Sequence, residues 1–453
     1  MINPAVTAST LPACPLQAGV ASIEITPRAG TIMQGYDIRC ARSVADATFA
    51  SALVAGSKRI AWLLLTVDVI GLDRSFTARV RRLIARRLQV RPSQIMITCS
   101  HTHSGPATLA RIGPVTADTG YLALLAERLA AVAEMAAARL EPVVWRFGTT
   151  LLRENVNRRL QVGDSVALAI NPLGPVDRRL RVVRIDRAVA ADHARPLALL
   201  VHYACHATTS GAGLEISADW PGAMRTHLKG FYSKEDGDPC VHFLQGCAGN
   251  LTHQIGKDRE RWPEHVGQAT TVQSQALGRV AGDASIEASE NSIELTSVTV
   301  QAAVQSVSLP FHNRFGSEKT EIQVVRMGPE RHTPDSAQQS IWFIGLPGEP
   351  FTEYSMEFGS AFQRHFGASP DRVLVCGYTN DCVGYLCTPQ ALVEKGYESA
   401  VAHRIYDRPA PFSSKVQAVL LERTLGVAQN LLEEPREQPF SFRESLKRVV
   451  AKL

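Results

Sequence analysis

The sequence lacks most of the features that would place it in a specialised class. No Cys-x-x-Cys pair occurs among its nine cysteines, which removes zinc ribbons and thioredoxin-like redox motifs. Cys14, Cys40, Cys99, Cys205, Cys240, Cys247, Cys376, Cys382 and Cys387 are scattered and odd in number. They read as buried free thiols in a reducing compartment rather than as a disulfide framework. A large charge of one sign is also missing: Lys and Arg total 48 against 43 Asp and Glu, a net +5 over 453 residues. Nucleic-acid-binding domains concentrate basic residues far more than this. The longest apolar run, Ile60 to Leu72, is broken by Thr66 and Asp68 and falls short of the roughly 20 residues that a bilayer requires. Met1 to Ala21 carries no basic residue and no sustained apolar stretch, so no secretory signal is read there and a cytoplasmic location is expected. Gly-x-Gly-x-x-Gly, Walker and His-Glu-x-x-His motifs are absent. Dinucleotide, nucleotide and thermolysin-like sites go with them.

What is present is the composition of a large globular protein. Hydrophobic residues make up 45% and charged residues 20%, enough to bury a full core and too apolar for disorder. At about 150 residues per domain the length alone would predict roughly three domains. Short apolar runs alternate with segments of helical period, the pattern of an α/β fold. Ile60 to Ile70 reads as a buried strand, Ser75 to Leu88 as a helix and Gln94 to Cys99 as a second strand. Such a βαβ unit makes its two strands parallel. Tyr121 to Leu140 reads as an Ala/Leu-rich helix; Val143 to Phe147, Leu197 to Cys205, Cys240 to Gln245, Ile341 to Leu346 and Arg372 to Cys376 read as strands. Ile293 to Leu309 alternates and predicts an exposed antiparallel strand. Lys415 to Leu432 is an amphipathic helix, and Ser441 to Leu453 has a capping box and a narrow apolar stripe, read as a short docked helix.

Chemistry collects where these strands end. Strand 94–99 runs into Ser100-His101-Thr102-His103-Ser104-Gly105-Pro106, and strand 197–205 into His206-Ala207-Thr208-Thr209. Strand 240–245 runs into Gly246-Cys247-Ala248-Gly249-Asn250, strand 341–346 into Pro347-Gly348-Glu349, and strand 372–376 into Gly377-Tyr378-Thr379-Asn380. In α/β sheets ligands bind beyond the carboxyl ends of strands, so five polar tails can share one site. His101, His103, His206 and Glu349 offer the imidazoles and carboxylate of a catalytic zinc with an open position. Chance gives roughly 0.4 His-x-His matches in a chain of this composition, so placement rather than the motif carries the idea. Taken by themselves, these residues leave open both a metal site and a set of structural histidines and turns.

Together, the Ser100–Pro106 and His206–Thr209 tails, Leu346-Pro347-Gly348-Glu349, and Thr379-Asn380 with Tyr385 and Tyr397 resemble the neutral/alkaline, non-lysosomal ceramidase family. The opening Ala18 to Pro27 and Asn157-Arg158-Arg159 resemble it too, so the likeness runs from about Ala18 to about Ser399. The resemblance implies a zinc-dependent amidohydrolase with one Zn²⁺ per chain, in which metal-bound water cleaves the amide of an N-acylated, lipid-like or smaller substrate. By position it implies His101, His206, Glu349 and Tyr385 as metal ligands. It implies His103 in the second sphere and Arg158 and Tyr397 as active-site residues. Chemically, the metal with Arg158 or Tyr397 would hold the oxyanion, and His103, lacking room on a short loop to ligate the same metal, would pass the proton to the leaving amine.

The departures from that family bear on substrate. Where ceramidases carry Gly-Asp-Val-Ser-Pro-Asn, this chain has Gly249-Asn250-Leu251-Thr252-His253. Thr252 stands in for a serine, and a β-branched hydroxyl with no base beside it is a poor nucleophile, so water attack is expected over a covalent route. His253 reads as a surface-loop residue or an additional proton carrier. The family's C-terminal β-sandwich and its secretion signal are not found. The expected architecture is one large α/β domain, residues 1–410, built on a mixed, largely parallel sheet with site residues at strand carboxyl ends. A helical extension, 411–453, packs on it. An esterase or lactonase using the same zinc site is the alternative, and a catalytically silent binding protein a further one. Nucleic-acid and transmembrane partners are not expected. Asp68 and Asp219 are read either as partners of metal histidines or as caps. Arg79, Arg82 and Arg86 lie opposite the apolar stripe of their helix, as a solvated face would.

Overall fold

A computed structural model of the chain describes residues 16–188, 196–233, 237–257, 270–312, 315–330 and 335–433. Its centre is a nine-stranded mixed sheet. In spatial order the path runs Cys240–Gln245, Pro196–Tyr203, Arg179–Arg187, Glu141–Leu151, Gln17–Glu24, Phe49–Gly56, Ile60–Val67 and Ile95–Cys99, with Ile293–Glu294 paired to Glu141–Leu151 off the path. A second sheet orders Thr299–Pro310, Ser317–Gly328, Ile341–Gly345 and Val373–Cys376.

The α/β class and the mixed sheet agree with the sequence reading, but the expected predominance of parallel pairing is corrected. Along the large sheet only Ile60–Val67 with Ile95–Cys99 and Pro196–Tyr203 with Cys240–Gln245 are parallel; the other joins are antiparallel. Connection length explains this. Phe49–Gly56 and Ile60–Val67 are three residues apart, and so short a link can only reverse the chain. A parallel join needs a crossover, and a helix fills each one. Arg74–Leu88 lies between the first pair, Asp219–Tyr232 between the second, and Thr352–Phe366 between the parallel strands Ile341–Gly345 and Val373–Cys376 of the small sheet. Within these two sheets the parallel minority consists of three βαβ units, and the histidine, carboxylate and tyrosine tails all issue from them.

The two sheets share a core. Leu53, Trp62, Leu64 and Met96 of the large sheet cluster with Val325, Phe343 and Leu374 of the small one, and the Trp62 and Phe343 rings lie 5.0 Å apart. Each side chain buried this fully contributes on the order of 1.5–3 kcal/mol. Helices Arg74–Leu88 and Thr119–Ala137 cover Val54 and Leu65 with Val80, Ile84, Leu125 and Leu129. Arg79, Arg82 and Arg86 point to solvent, as the stripe predicts. Helix Val416–Glu433 sends Val416, Leu420, Val427 and Leu431 into the cluster that holds Phe358 and Phe362. The helix expected from Ser441 lies outside the described residues. Seven of the cysteines are buried free thiols, whereas Cys40 is exposed. The expected strand 293–309 is antiparallel but interrupted, with Thr299–Pro310 paired to Ser317–Gly328 and largely half-buried. No helix among the described residues is long and apolar enough to cross a membrane.

Candidate metal centre

Backbone hydrogen bonds stitch the strand ends of the three βαβ units together. The Tyr378 carbonyl accepts from the Cys99 N–H at 3.2 Å, Gln245 from Gly377 at 3.0 Å, Tyr203 from Gly246 at 3.0 Å and Ala207 from His103 at 3.3 Å. His101, Tyr378 and Asn380 take left-handed backbone conformations, with φ of 63°, 52° and 62°. Such conformations cost of order 1–3 kcal/mol in residues other than glycine and collect where the surroundings hold them for a purpose. Gly249 is needed for approach: a Cβ there would lie 2.5 Å from the Glu349 carbonyl oxygen.

Within this frame His101, His103, His206 and Glu349 converge. His101 Nε2 lies 3.1 Å from His103 Nε2 and 3.2 Å from Glu349 Oε2, and His206 Nε2 lies 3.4 Å from the same oxygen. The ligand atoms of the three histidines all lie within 4.8 Å of one another. His101, His206 and Glu349 are buried and His103 is half-buried. Each imidazole is anchored through its other nitrogen to a main-chain carbonyl: His101 Nδ1 to Ile70 O at 2.6 Å, His103 Nδ1 to Gly35 O at 3.0 Å, and His206 Nδ1 to Ala248 O at 2.8 Å.

Those anchors determine what the centre can bind. A carbonyl only accepts, so each Nδ1 carries the proton and each Nε2 of a neutral ring presents a lone pair. Burial, reinforced by the neighbouring His101 and His206, holds His103 well below its ordinary pKa. Burial and then Arg158 pull His206 down to about 4. Burial alone would raise Glu349, but His101 and His206 outweigh it and hold the carboxyl well below its usual range. His101 Nε2 thus faces both His103 Nε2 and a carboxylate oxygen of Glu349. The buried His206 Nε2 has no hydrogen-bond partner. Such a cluster can hold a cation, and imidazoles with a carboxylate are the donor set of a divalent transition metal.

Around this core the other expected residues are partly gathered. Tyr385 is the cross-strand partner of Glu349 in a two-stranded parallel ladder, Glu349–Pro350 with Tyr385–Leu386. Its hydroxyl oxygen accepts from Arg158 Nη2 at 2.9 Å. Arg158 also donates to Gly249 O at 2.8 Å and, through Nε, to Glu398 Oε1 at 3.0 Å. The Tyr397 ring meets Tyr385 edge-on at 5.8 Å. Thr252 is not brought onto the histidines: its hydroxyl accepts from Lys257 Nζ at 2.8 Å. His253 is corrected more fully. It is buried in the strand Leu251–His253 paired with Asn155–Val162, its Nδ1 3.2 Å from Ile255 O, and sits on no surface loop. The reason for separating His103 from the metal, lack of room on a short loop, also fails, because its Nε2 lies inside the cluster.

Asp68 and Asp219 do not touch the histidines. Asp68 accepts from Phe49 N and Arg225 Nη2, and Asp219 braces the Thr209 and Ser210 amides. Backbone carbonyls do the orienting expected of them. Three side chains were missed altogether. Tyr378 stacks on His101 at 4.0 Å and donates to Glu349 Oε2 at 3.3 Å; Tyr406 donates to Glu349 Oε1; Glu398 is buried between Arg158 and Arg159. Tyr378 lay in a recognised strand-end tail and was legible there. Tyr406 and Glu398 carried no comparable signal.

Solved structures that share this fold include two ceramidases. One is the neutral ceramidase of Pseudomonas aeruginosa, matched at a TM-score of 0.75 and 17% identity over 94% of this chain and 76% of that one. The other, a ceramidase complexed with C2, gives 0.73 and 17% over 94% and 77%. No family model and no curated protein matches the sequence. The class defined here is an α/β protein of neutral-ceramidase fold with a buried three-histidine, one-carboxylate centre.

Proposed function

We propose that this protein is a zinc-dependent amidohydrolase that cleaves the amide bond of an N-acylated, lipid-like substrate, with one Zn²⁺ per chain. The convergence of the donor atoms of His101, His103, His206 and Glu349 in one largely buried cluster carries the reading. The shared fold with ceramidases supports the amide as the bond attacked. His101, His206 and Glu349 hold the ion, and Tyr385, beside Glu349 on the ladder, completes the set. When bound, zinc polarises a carbonyl and brings the pKa of water toward about 7.

The chain's own residues do the rest. Arg158 and Tyr397 stabilise negative charge on the carbonyl oxygen as it develops, Arg158 oriented by its bond to Glu398. His103, the half-buried imidazole of the three and fixed at Nδ1 by Gly35 O, is assigned to the proton rather than the ion: it takes a proton at Nε2 and delivers it to the leaving nitrogen. Thr252, its hydroxyl engaged by Lys257, stays outside the bond-making steps. Residues 1–410 form the catalytic unit and 411–453 its extension. The test is metal content of the purified protein, followed by hydrolysis of N-acyl amines, N-acyl amino acids and esters with and without chelator. One equivalent of zinc and amide cleavage lost on chelation are expected. A metal-free protein, or activity indifferent to chelator, overturns the proposal; preferential ester cleavage overturns the amide assignment.

A further inference from the structure

We propose that Tyr406 is a positioning residue for the metal-binding carboxylate, holding Glu349 so that a single oxygen faces the ion. The inference rests on the metal reading above. The two oxygens of Glu349 have different surroundings. Oε2 faces His101 Nε2 at 3.2 Å and His206 Nε2 at 3.4 Å, with the Tyr378 hydroxyl 3.3 Å away. Oε1 is taken by the Tyr406 hydroxyl in the tighter of the two tyrosine contacts. An ionised carboxylate only accepts, so the phenol must donate, and a charge-assisted bond of this kind is among the stronger ones. Oε1 is thereby held away from the imidazoles, and Oε2, which faces both His101 and His206 Nε2, is the oxygen presented to an ion.

Tyr406 is itself held in place. It is buried, its N–H donates to Ala402 O at 3.2 Å, and its ring meets Tyr385 edge-on at 6.2 Å. The ring also lies against Gly384, where φ is +100° and a Cβ would come within 3.0 Å of Tyr406 Cγ. The same glycine's carbonyl accepts the Glu349 N–H at 2.9 Å. Gly384 thus fixes both the backbone of the ligand and the ring of the residue that orients it. Outer partners of metal ligands typically alter metal affinity by 10- to 100-fold when removed.

The experiment compares Zn²⁺ affinity, by competition with a chromophoric chelator, for wild type, Tyr406→Phe, Glu349→Gln and the double variant. The visible absorption of each Co²⁺-loaded protein is recorded as well. Tyr354→Phe is the control: it deletes another buried tyrosine hydroxyl, one that donates to Cys387 O at 3.3 Å. Tyr406→Phe is expected to weaken Zn²⁺ binding by about 10- to 100-fold and to change the Co²⁺ spectrum, with near-ultraviolet dichroism of the metal-free protein unchanged. Tyr354→Phe should leave affinity and spectrum as in wild type. Tyr406→Phe should add nothing once Glu349 is Gln, since the hydroxyl acts through that carboxylate. Wild-type affinity and spectrum in Tyr406→Phe, or equal weakening in both Glu349 backgrounds, would overturn the inference while leaving the metal reading intact. A wild-type protein that binds no Zn²⁺ would overturn both.

Discussion

Replacing Glu398 by Gln probes the electrostatic support of the site through one atom. The Glu398 side chain is 1% exposed, its Oε1 accepting from Arg158 Nε at 3.0 Å and its Oε2 from Arg159 Nη1 at 2.8 Å. Glutamine keeps the shape but offers one acceptor where there were two, and its amide N–H then faces a guanidinium. Arg159 retains Glu394 at 3.2 Å and the Lys395 carbonyl at 2.7 Å. Arg158 retains only the neutral oxygens of Tyr385 and Gly249 among its hydrogen bonds here. Removing one partner of a buried pair costs about 3–5 kcal/mol, and the surviving Arg159 contacts place this variant at about 3 kcal/mol. Urea unfolding followed by tryptophan fluorescence should show that loss, little changed between low and moderate salt because buried pairs are weakly screened. Turnover of an N-acyl substrate should fall more than KM rises, since Arg158 loses its orientation at the developing oxyanion. A loss below about 1 kcal/mol, the range of exposed pairs, with unchanged turnover would refute the reasoning.

Further outcomes follow from the same geometry. His101→Ala should lose bound zinc, whereas His103→Ala should keep it and lose turnover; equal metal loss in the two, measured on purified protein, would end the division of roles. Gly35→Ala should reduce kcat by about a hundredfold, because φ is +111° and the new Cβ would lie 2.6 Å from His103 Nδ1; steady-state kinetics at unaltered zinc content are the check. Burial, with Arg181 for His202 and Arg225 for His242, lowers both imidazoles from 6.5 to about 3. The unfolded chain binds protons there below about 6.5 and the folded chain does not. Stability is therefore complete above that pH and should decline by about 1.4 kcal/mol per unit for each residue down to about pH 3. Unfolding midpoints measured from pH 7 to 4.5 that stay level would refute it.

The strands Ile60–Val67, Cys240–Gln245 and Val373–Cys376 were legible because a strand buried on both faces reads as a predominantly apolar run. The His101, His206 and Glu349 tails were legible because they follow such runs directly. Strand direction was misjudged because the site-bearing strands lie in the βαβ units, and their parallel sense was extended to hairpin-linked neighbours such as Phe49–Gly56. Tyr406 meets Glu349 across 57 residues, and Glu398 meets Arg158 across 240. A single hydroxyl or carboxylate reaching that far leaves no periodicity to detect. Orientation of the histidines was sought in Asp68 and Asp219, but main-chain oxygens of Ile70, Gly35 and Ala248 provide it, and every residue type carries such an oxygen.

That last arrangement bears on how freely the protein can change. Where a carboxylate orients a histidine ligand, one codon can remove the carboxylate and disable the metal site. Here the orienting oxygens persist whatever side chains stand at positions 70 and 248, provided the chain keeps its path. Substitutions around the pocket can therefore alter which substrate fits while the ring tautomers stay as they are. The histidines of the centre are insulated from the drift of their surroundings, and a library that varies pocket-lining side chains other than the tyrosines on Glu349 should retain metal binding far more often than it retains substrate preference.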